Sequence, residues 1–275
     1  MNYFKTFFLM GLLTILFVYI GDLIGGQTGM VYAFGFALLM NFFSYWFSDK
    51  IVLSMYGAQL VKKQDVPELY SIVESLAIKA NLPMPKVYVI NTEMANAFAT
   101  GRNPKHAAVA VTTGIMNILN KKELEAVLAH ELTHIKNYDI LTGTIAATFA
   151  GAITMLARMA FFFGGSRDDD RGGGAGALLL LILAPIAAVL IQLAISRSRE
   201  YAADRGSAEI TGRPQDLISA LEKLHGIAKA RPVNIEPSTA HMFIVNPLKG
   251  DFFASLFSTH PTLKQRIENL QKFNG

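Results

Sequence analysis

The sequence contains no cysteine, which excludes disulfides and thiolate metal sites, so a transition metal bound here must be held by histidines and carboxylates. Charge is also scarce. Only 17% of residues are Asp, Glu, Lys or Arg, against roughly 25% in ordinary soluble domains, and mean hydropathy is +0.34. So little polar surface would not cover a soluble chain of 275 residues. The net charge is +4 and the pI about 9.2. No interleaving of aromatic and basic residues accompanies that charge in the polar parts, so no nucleic-acid partner is expected. Basic residues near membrane-facing ends account for the balance.

Charges are missing from four stretches, Thr6 to Gly21, Leu23 to Ser48, Ile140 to Ala157 and Gly172 to Ser196. Their lengths are near the roughly 20 residues that cross a bilayer as helix, and helices satisfy their own backbone inside lipid. The first expected span covers Phe4 to Gly25. Lys5 ahead of an apolar run resembles a signal peptide, but no small-x-small cleavage site follows, so the segment reads as an uncleaved anchor. The turn Gly25 to Thr28 leads into a second span, Met30 to Phe47. A second apolar hairpin, Ile140 to Phe163 and Ala175 to Ile195, is joined by Gly164 to Gly172. Arg158 within it is expected to snorkel to the outer interface, and Asp22 to cap the outer end of the first span.

The first hairpin loop has no Lys or Arg, and the second has two Arg against three Asp. Lys62, Lys63, Lys121, Lys122, Arg197 and Arg199 all lie in the long polar segments. The bias of basic residues then puts both termini and both polar segments in the cytoplasm. Four parts follow: a membrane hairpin (1–48), a first polar part (49–139), a second membrane hairpin (140–195) and a second polar part (196–275).

Within the first polar part, Leu69, Ile72, Val73, Leu76 and Ala80 have helical spacing. Lys86 to Ile90 and Ala107 to Thr113 read as strands, with Gly101 to Pro104 as the turn between them. Asn120 is placed to cap a helix from Lys121, with Glu123 completing a capping box.

That helix carries His130-Glu131-Leu132-Thr133-His134. Residues four apart share a helix face, so both imidazoles can converge on one metal ion, and the intervening carboxylate lies beside it. A bound zinc ion polarises a carbonyl and acidifies water, while Glu131 takes and delivers the proton. The alternative is a helix with two incidental histidines, a risk this short motif always carries. The metzincin continuation is absent: Asn137 stands where a glycine is needed, and Ile140 where a histidine is needed.

A third ligand must come from elsewhere. Glu200, in the polar stretch just after the fourth apolar segment, is a candidate; it could equally pair with Arg197 at the interface. The second hairpin decides between these, because its two cytoplasmic ends are neighbours and bring Glu200 to the histidines. Asp204, four residues on, shares the face of Glu200 and is placed to accept a hydrogen bond from a ligand histidine.

In these residues the chain resembles the HtpX family of bacterial inner-membrane heat-shock zinc metalloproteases, relatives of the CAAX prenyl endopeptidases. The resemblance covers the whole chain. It runs through Asn96 to Gly101, the helix ending in Asn137-Tyr138-Asp139, Ser198 to Asp204, Ala240 to Pro247 and Ser258 to Pro261. It implies a mainly α integral membrane protein with four transmembrane helices and a cytoplasmic zincin-like (gluzincin) domain containing a small β-sheet. It further implies one Zn2+ on His130, His134 and Glu200, with Glu131 as base and Asp204 behind the ligands. The implied activity is endoproteolysis of damaged or misfolded membrane proteins in quality control and stress response. Thr262 stands where a second proline is common after His-Pro, a departure at the start of the last helix.

Other residues carry two readings each. Asn96, Ala97 and Phe98 either offer an edge strand to substrate backbone, as in related proteases, or form an ordinary hairpin with a buried Phe98. His260 either precedes the last helix, with Thr259 as its cap, or donates a hydrogen bond in the transition state. His241 stands similarly, and His106 and His225 read as solvated. Two rival functions are a prenyl-protein endopeptidase, for which four spans look too few, and a silent zinc-holding membrane scaffold or chaperone, for which an intact Glu131 has no use. Oligomeric state is not readable.

Overall fold

The computed structural model describes residues 2–145, 197–230, 243–244 and 261–273. Helix α1 (Asn2–Met55) is two arms broken at Gly25 and Gly26. Gly26 sits at φ 55°, ψ −145°, a conformation open to glycine and little else, and this lets the second arm fold back on the first. The arms meet through Asn41 Nδ2, which donates to Thr14 Oγ1 (2.8 Å), and through the Phe17–Phe36 and Phe7–Tyr45 ring pairs. The expected tight hairpin is therefore present.

The expectation of four spans is only partly met. Among the described residues, one stretch, Gly25–Phe47, is long and apolar enough to cross a membrane; Thr6–Tyr19 in the first arm is shorter, closed off by Gly21 and Asp22. The second apolar hairpin lies outside the described residues from 146 on. Phe4, Phe8, Ile15, Tyr19, Val31, Tyr32, Leu38 and Leu39 are exposed along both arms, an apolar surface that suits lipid and is costly in water.

Beyond α1 come β1 (Gln59–Leu60), α2 (Pro67–Lys79), β2 (Lys86–Ile90), β3 (Ala97–Gly101), β4 (Ala107–Thr112), α3 (Thr113–Ile118) and α4 (Lys121–Lys136). After residue 196 follow α5 (Arg197–Thr211), α6 (Pro214–Ala230) and α7 (Leu263–Gln271). The four strands lie in the order β1-β2-β4-β3. β2 and β4 are parallel and β3 is antiparallel to β4. The segment between the two expected strands thus supplies a further strand at the sheet edge, as one of its two readings had it, and the expected turn from Gly101 to Pro104 leads from that strand into β4.

Side chains alternate between the two sheet faces. Val87, Val109, Val111 and Ala97 join the main core with Leu69, Val73, Leu128, Leu132 and Leu221. Ile90, Phe98, Ala108 and Ala110 face the other way, onto Val52 and Leu53 at the end of α1. Covered on both faces, β4 is buried at every position, and the sheet is fastened to the C-terminal end of α1. The helical segment 139–145 is held from two sides, by Thr6–Thr142 (2.9 Å) and Thr100–Thr144 (3.0 Å) hydroxyl contacts.

The capping box expected at α4 is present: Glu123 N–H donates to Asn120 Oδ1 (3.0 Å) and Asn120 N–H to Glu123 Oε2 (2.9 Å). At α7 the cap is Thr262, with Gln265 completing the box, and not Thr259. The residue that departs from the family pattern therefore starts the last helix, because its hydroxyl satisfies a first-turn N–H that a proline side chain could not.

Candidate metal centre

Helix α4 runs through the core, with Val127, Leu128 and Leu132 fully buried, and it presents His130 and His134 on one face. Helix α5 lies against that face. Ser207 Oγ donates to Ala126 O (2.6 Å), fixing α5 along α4 and carrying Glu200 to the histidines. His130 Nε2 and His134 Nε2 are 3.3 Å apart, and Glu200 Oε2 and Oε1 lie 3.8 and 3.5 Å from them respectively. These three residues can hold a metal ion, their ligand atoms all lying within 4.8 Å of one another.

The outer nitrogens test whether zinc fits. His130 Nδ1 is 2.9 Å from Asp204 Oδ1, and His134 Nδ1 is 3.2 Å from Asp139 Oδ2. A carboxylate only accepts, so each Nδ1 carries the hydrogen and each Nε2 of a neutral ring turns a lone pair inward. Two lone pairs and a carboxylate facing one another repel unless a cation lies between them. Tetrahedral zinc with nitrogen at about 2.0–2.1 Å would separate two ligand atoms by about 3.3–3.4 Å. The donor set fits.

Electrostatics point the same way. Burial lowers the His134 imidazole, but the Asp139 hydrogen bond and the charges of Glu200, Glu131 and Asp139 outweigh it and lift it to about 9. Burial raises the Glu131 carboxyl against the lowering effect of both histidines. Burial would also raise Asp204, but Arg266 and the His130 hydrogen bond hold it below the ordinary carboxylate range.

Glu131 Oε2 accepts the Ala99 N–H at 3.0 Å. Ala99 lies in β3, paired with β4 on one side, so its N–H points out of the opposite edge, toward Glu131. Asn96 is buried against Thr112, its N–H on Thr112 Oγ1 (2.9 Å), with its side-chain oxygen accepting from Ile244 N (3.4 Å). Ala97 is buried in the main core, whereas Phe98 packs on the far face of the sheet, beside Tyr56. His260 and His241 lie outside the described residues.

Sequence reasoning missed Asp139, Arg266 and Arg199. Asp139 follows His134 by five residues, off the helical repeat, and Tyr138 at φ 59° turns the chain to bring it back. Arg266 donates to both oxygens of Asp204, from Nε (2.9 Å) and Nη2 (2.6 Å), across 62 residues of sequence. No local pattern marks either contact.

Residues 63–274 match the family model Peptidase family M48. The chain belongs to that family, in its HtpX group. It is 59% identical over 276 residues to a protease HtpX homolog of Thermodesulfovibrio yellowstonii, covering 98% of each chain. Homologs of the same name from Persephonella marina and Ralstonia pickettii are 57% and 54% identical, with 98% of this chain and 96% of each relative covered. The fold is similar to the crystal structure of S. mikatae Ste24p, with TM-score 0.55 and 21% identity over 98% of this chain. The chain spans 65% of that protein's length. Membership of the M48 family, together with the His130, His134 and Glu200 cluster, makes this chain a zinc metalloendopeptidase.

Proposed function

We propose that the chain is a membrane-anchored zinc endopeptidase that cleaves misfolded or damaged membrane proteins at the cytoplasmic face of the bacterial inner membrane. One observation carries the residue assignment: Glu131 stands beside the His130, His134 and Glu200 cluster while accepting the N–H of Ala99 on the free edge of β3. His130, His134 and Glu200 hold one zinc ion per chain. When bound, zinc supplies Lewis-acid polarisation of the scissile carbonyl and lowers the pKa of water.

The substrate backbone adds to the open edge of β3, so its carbonyl is delivered between the strand and α4. The contact uses the strand backbone at Ala97 and the carbonyl of Ala99, whose N–H is held by Glu131, with Asn96 bracing the strand and Phe98 anchoring it from behind. Glu131 accepts the proton of the attacking water at a carboxylate oxygen and passes it to the departing amine nitrogen. Its raised affinity for protons, a result of burial, suits both halves of that transfer. Asp204 orients His130. His260 is assigned as a hydrogen-bond donor to the developing oxyanion.

Residues 1–48 and 140–195 form two membrane hairpins, and 49–139 with 196–275 form one protease domain on the cytoplasmic side. The charge-poor segments and the basic residues of the polar parts support that arrangement. It places the substrate edge near the bilayer surface and favours membrane-associated substrates.

Glu131→Gln in purified full-length protein should keep stoichiometric zinc and lose cleavage of a casein-like or membrane substrate by at least about 10²-fold. A chelator should abolish the wild-type activity. Equal activity in the variant would reject the mechanism, and inactivity of zinc-loaded wild type would favour a scaffold. Outside-only labelling of the Arg167 to Arg171 loop tests the topology.

A further inference from the structure

The two histidines of the candidate metal centre are backed by matching chains of groups, Arg266–Asp204–His130 and Arg199–Asp139–His134, but the two chains differ in tightness. In the first, Arg266 grips both Asp204 oxygens, and Asp204 Oδ1 is shared with His130 Nδ1. Arg266 Nη1 also donates to Ile244 O (2.8 Å). Arg266 and Asp204 are 2% and 1% exposed, so water does not compete for these bonds. In the second, Arg199 Nη1 comes no closer to Asp139 Oδ1 than 3.8 Å, and Asp139 reaches His134 over a longer 3.2 Å. The His134 side chain is 16% exposed against 2% for His130.

We propose that Arg266, carried by the C-terminal helix, is a positioning residue for the metal centre: it locks Asp204 and through it the ring of His130. Arg199 stands behind Asp139 at a longer distance, so its own contribution at His134 is smaller than that of Arg266 at His130. The proposal rests on the reading of His130, His134 and Glu200 as zinc ligands.

The physical reason lies in what Asp204 would do alone. A buried carboxylate without a counter-charge is strongly disfavoured, and a free one can rotate about its last torsion. The planar guanidinium removes both problems, because two parallel N–H donors fit a carboxylate in one orientation only. Oδ1 is then held where a histidine N–H must meet it. A lysine would supply charge without the fork. Because α7 provides this arginine, and its Nη1 also ties down Ile244 O, the last helix becomes part of the metal site although it supplies no ligand.

The test uses full-length protein in detergent and measures zinc affinity by chelator competition, together with the visible spectrum of the Co2+-loaded form. Arg266→Gln should weaken zinc about 10–100-fold, the loss typical of outer partners of metal ligands, and should alter the cobalt spectrum. Arg266→Lys should recover part of the affinity. Arg199→Gln should cost less than Arg266→Gln. Should Arg266→Gln fail to fold, Asp204→Asn and Arg266→Lys, alone and combined, replace it: their losses in affinity should be non-additive. Wild-type zinc affinity and cobalt spectrum in the Arg266 variants, or a larger loss from Arg199→Gln, overturn the proposal alone. Failure of the wild type to bind zinc overturns the ligand reading and this inference with it.

Discussion

Gly206 of α5 packs directly against the side chain of Thr133 of α4, so closely that a methyl group added to Gly206 would overlap it. Thr133 adjoins His134, and Gly206 lies six residues beyond Glu200 on the same helix. The two helices therefore approach closely beside the candidate ligands.

Gly206→Ala should push α5 away from α4 and separate Glu200 from the histidines. The variant should lose about 1–3 kcal/mol of stability, typical of an overpacked core, and bind zinc more weakly. Pairing it with Thr133→Ala, which makes room, should restore part of both. A thermal melt and a chelator titration measure the two effects, and a Gly206→Ala protein with unchanged zinc affinity would refute the argument.

Metal binding should depend on pH through His134. Its imidazole is lifted from an ordinary 6.5 to about 9 by Asp139 and the surrounding carboxylates, after burial has acted in the opposite direction. A proton must leave before the ring can bind metal, so apparent affinity should rise about tenfold per pH unit between roughly 6.5 and 9. For metal-free protein the sign reverses. The raised pKa stabilises the fold fully below pH 6.5, and that contribution fades as pH rises through 9. Isothermal titration at several pH values checks the first statement, and melting of the chelated protein the second.

Tyr138 holds a left-handed backbone conformation between His134 and Asp139. Such a conformation is costly for most side chains and worst for β-branched ones. Tyr138→Val should destabilise the protein by about 1 kcal/mol or more and loosen the Asp139–His134 bond. Tyr138→Asn, which tolerates that conformation, should fold and bind zinc nearly as the wild type does. Equal stability of the two variants would remove the turn from the explanation of the site.

The chain has a single tryptophan, Trp46, near the end of the Gly25–Phe47 stretch. The Arg102 guanidinium from the β3–β4 turn lies 4.4 Å from its ring centroid. In vesicles, lipids brominated near the headgroup should quench Trp46 more than lipids brominated at the chain end, as expected of an interfacial aromatic. Arg102→Ala should shift the emission and cost about 0.5–1 kcal/mol through the lost cation–π contact. Stronger quenching from the bilayer centre would place the turn at the wrong depth.

How much of this was legible beforehand depended on how far apart the cooperating residues lie. His130, Glu131 and His134 are bound together by the helical repeat, so their shared face and capping box could be read directly. Glu200 needed one more step, the inference that two ends of an apolar hairpin are neighbours. The strand at Ala97 to Gly101 was less visible. Its residues carry two readings, an edge strand or an ordinary hairpin, and only the order β1-β2-β4-β3 and the Ala99–Glu131 contact decide for an edge beside Glu131. Thr262, noted only as a departure, proved to cap the last helix.

The absence of cysteine and the scarcity of charge were properties of composition, and they alone determined that any metal would rest on histidine and carboxylate near a membrane. The spacing of His130 and His134 determined the helix face that holds them. What only the tertiary structure decided is the support behind those ligands: Asp139 turned back by Tyr138, and Arg266 brought from the last helix to Asp204. The reason is physical. Helical periodicity records neighbours within a turn or two, whereas a buried ion pair formed across 62 residues depends on how whole helices pack.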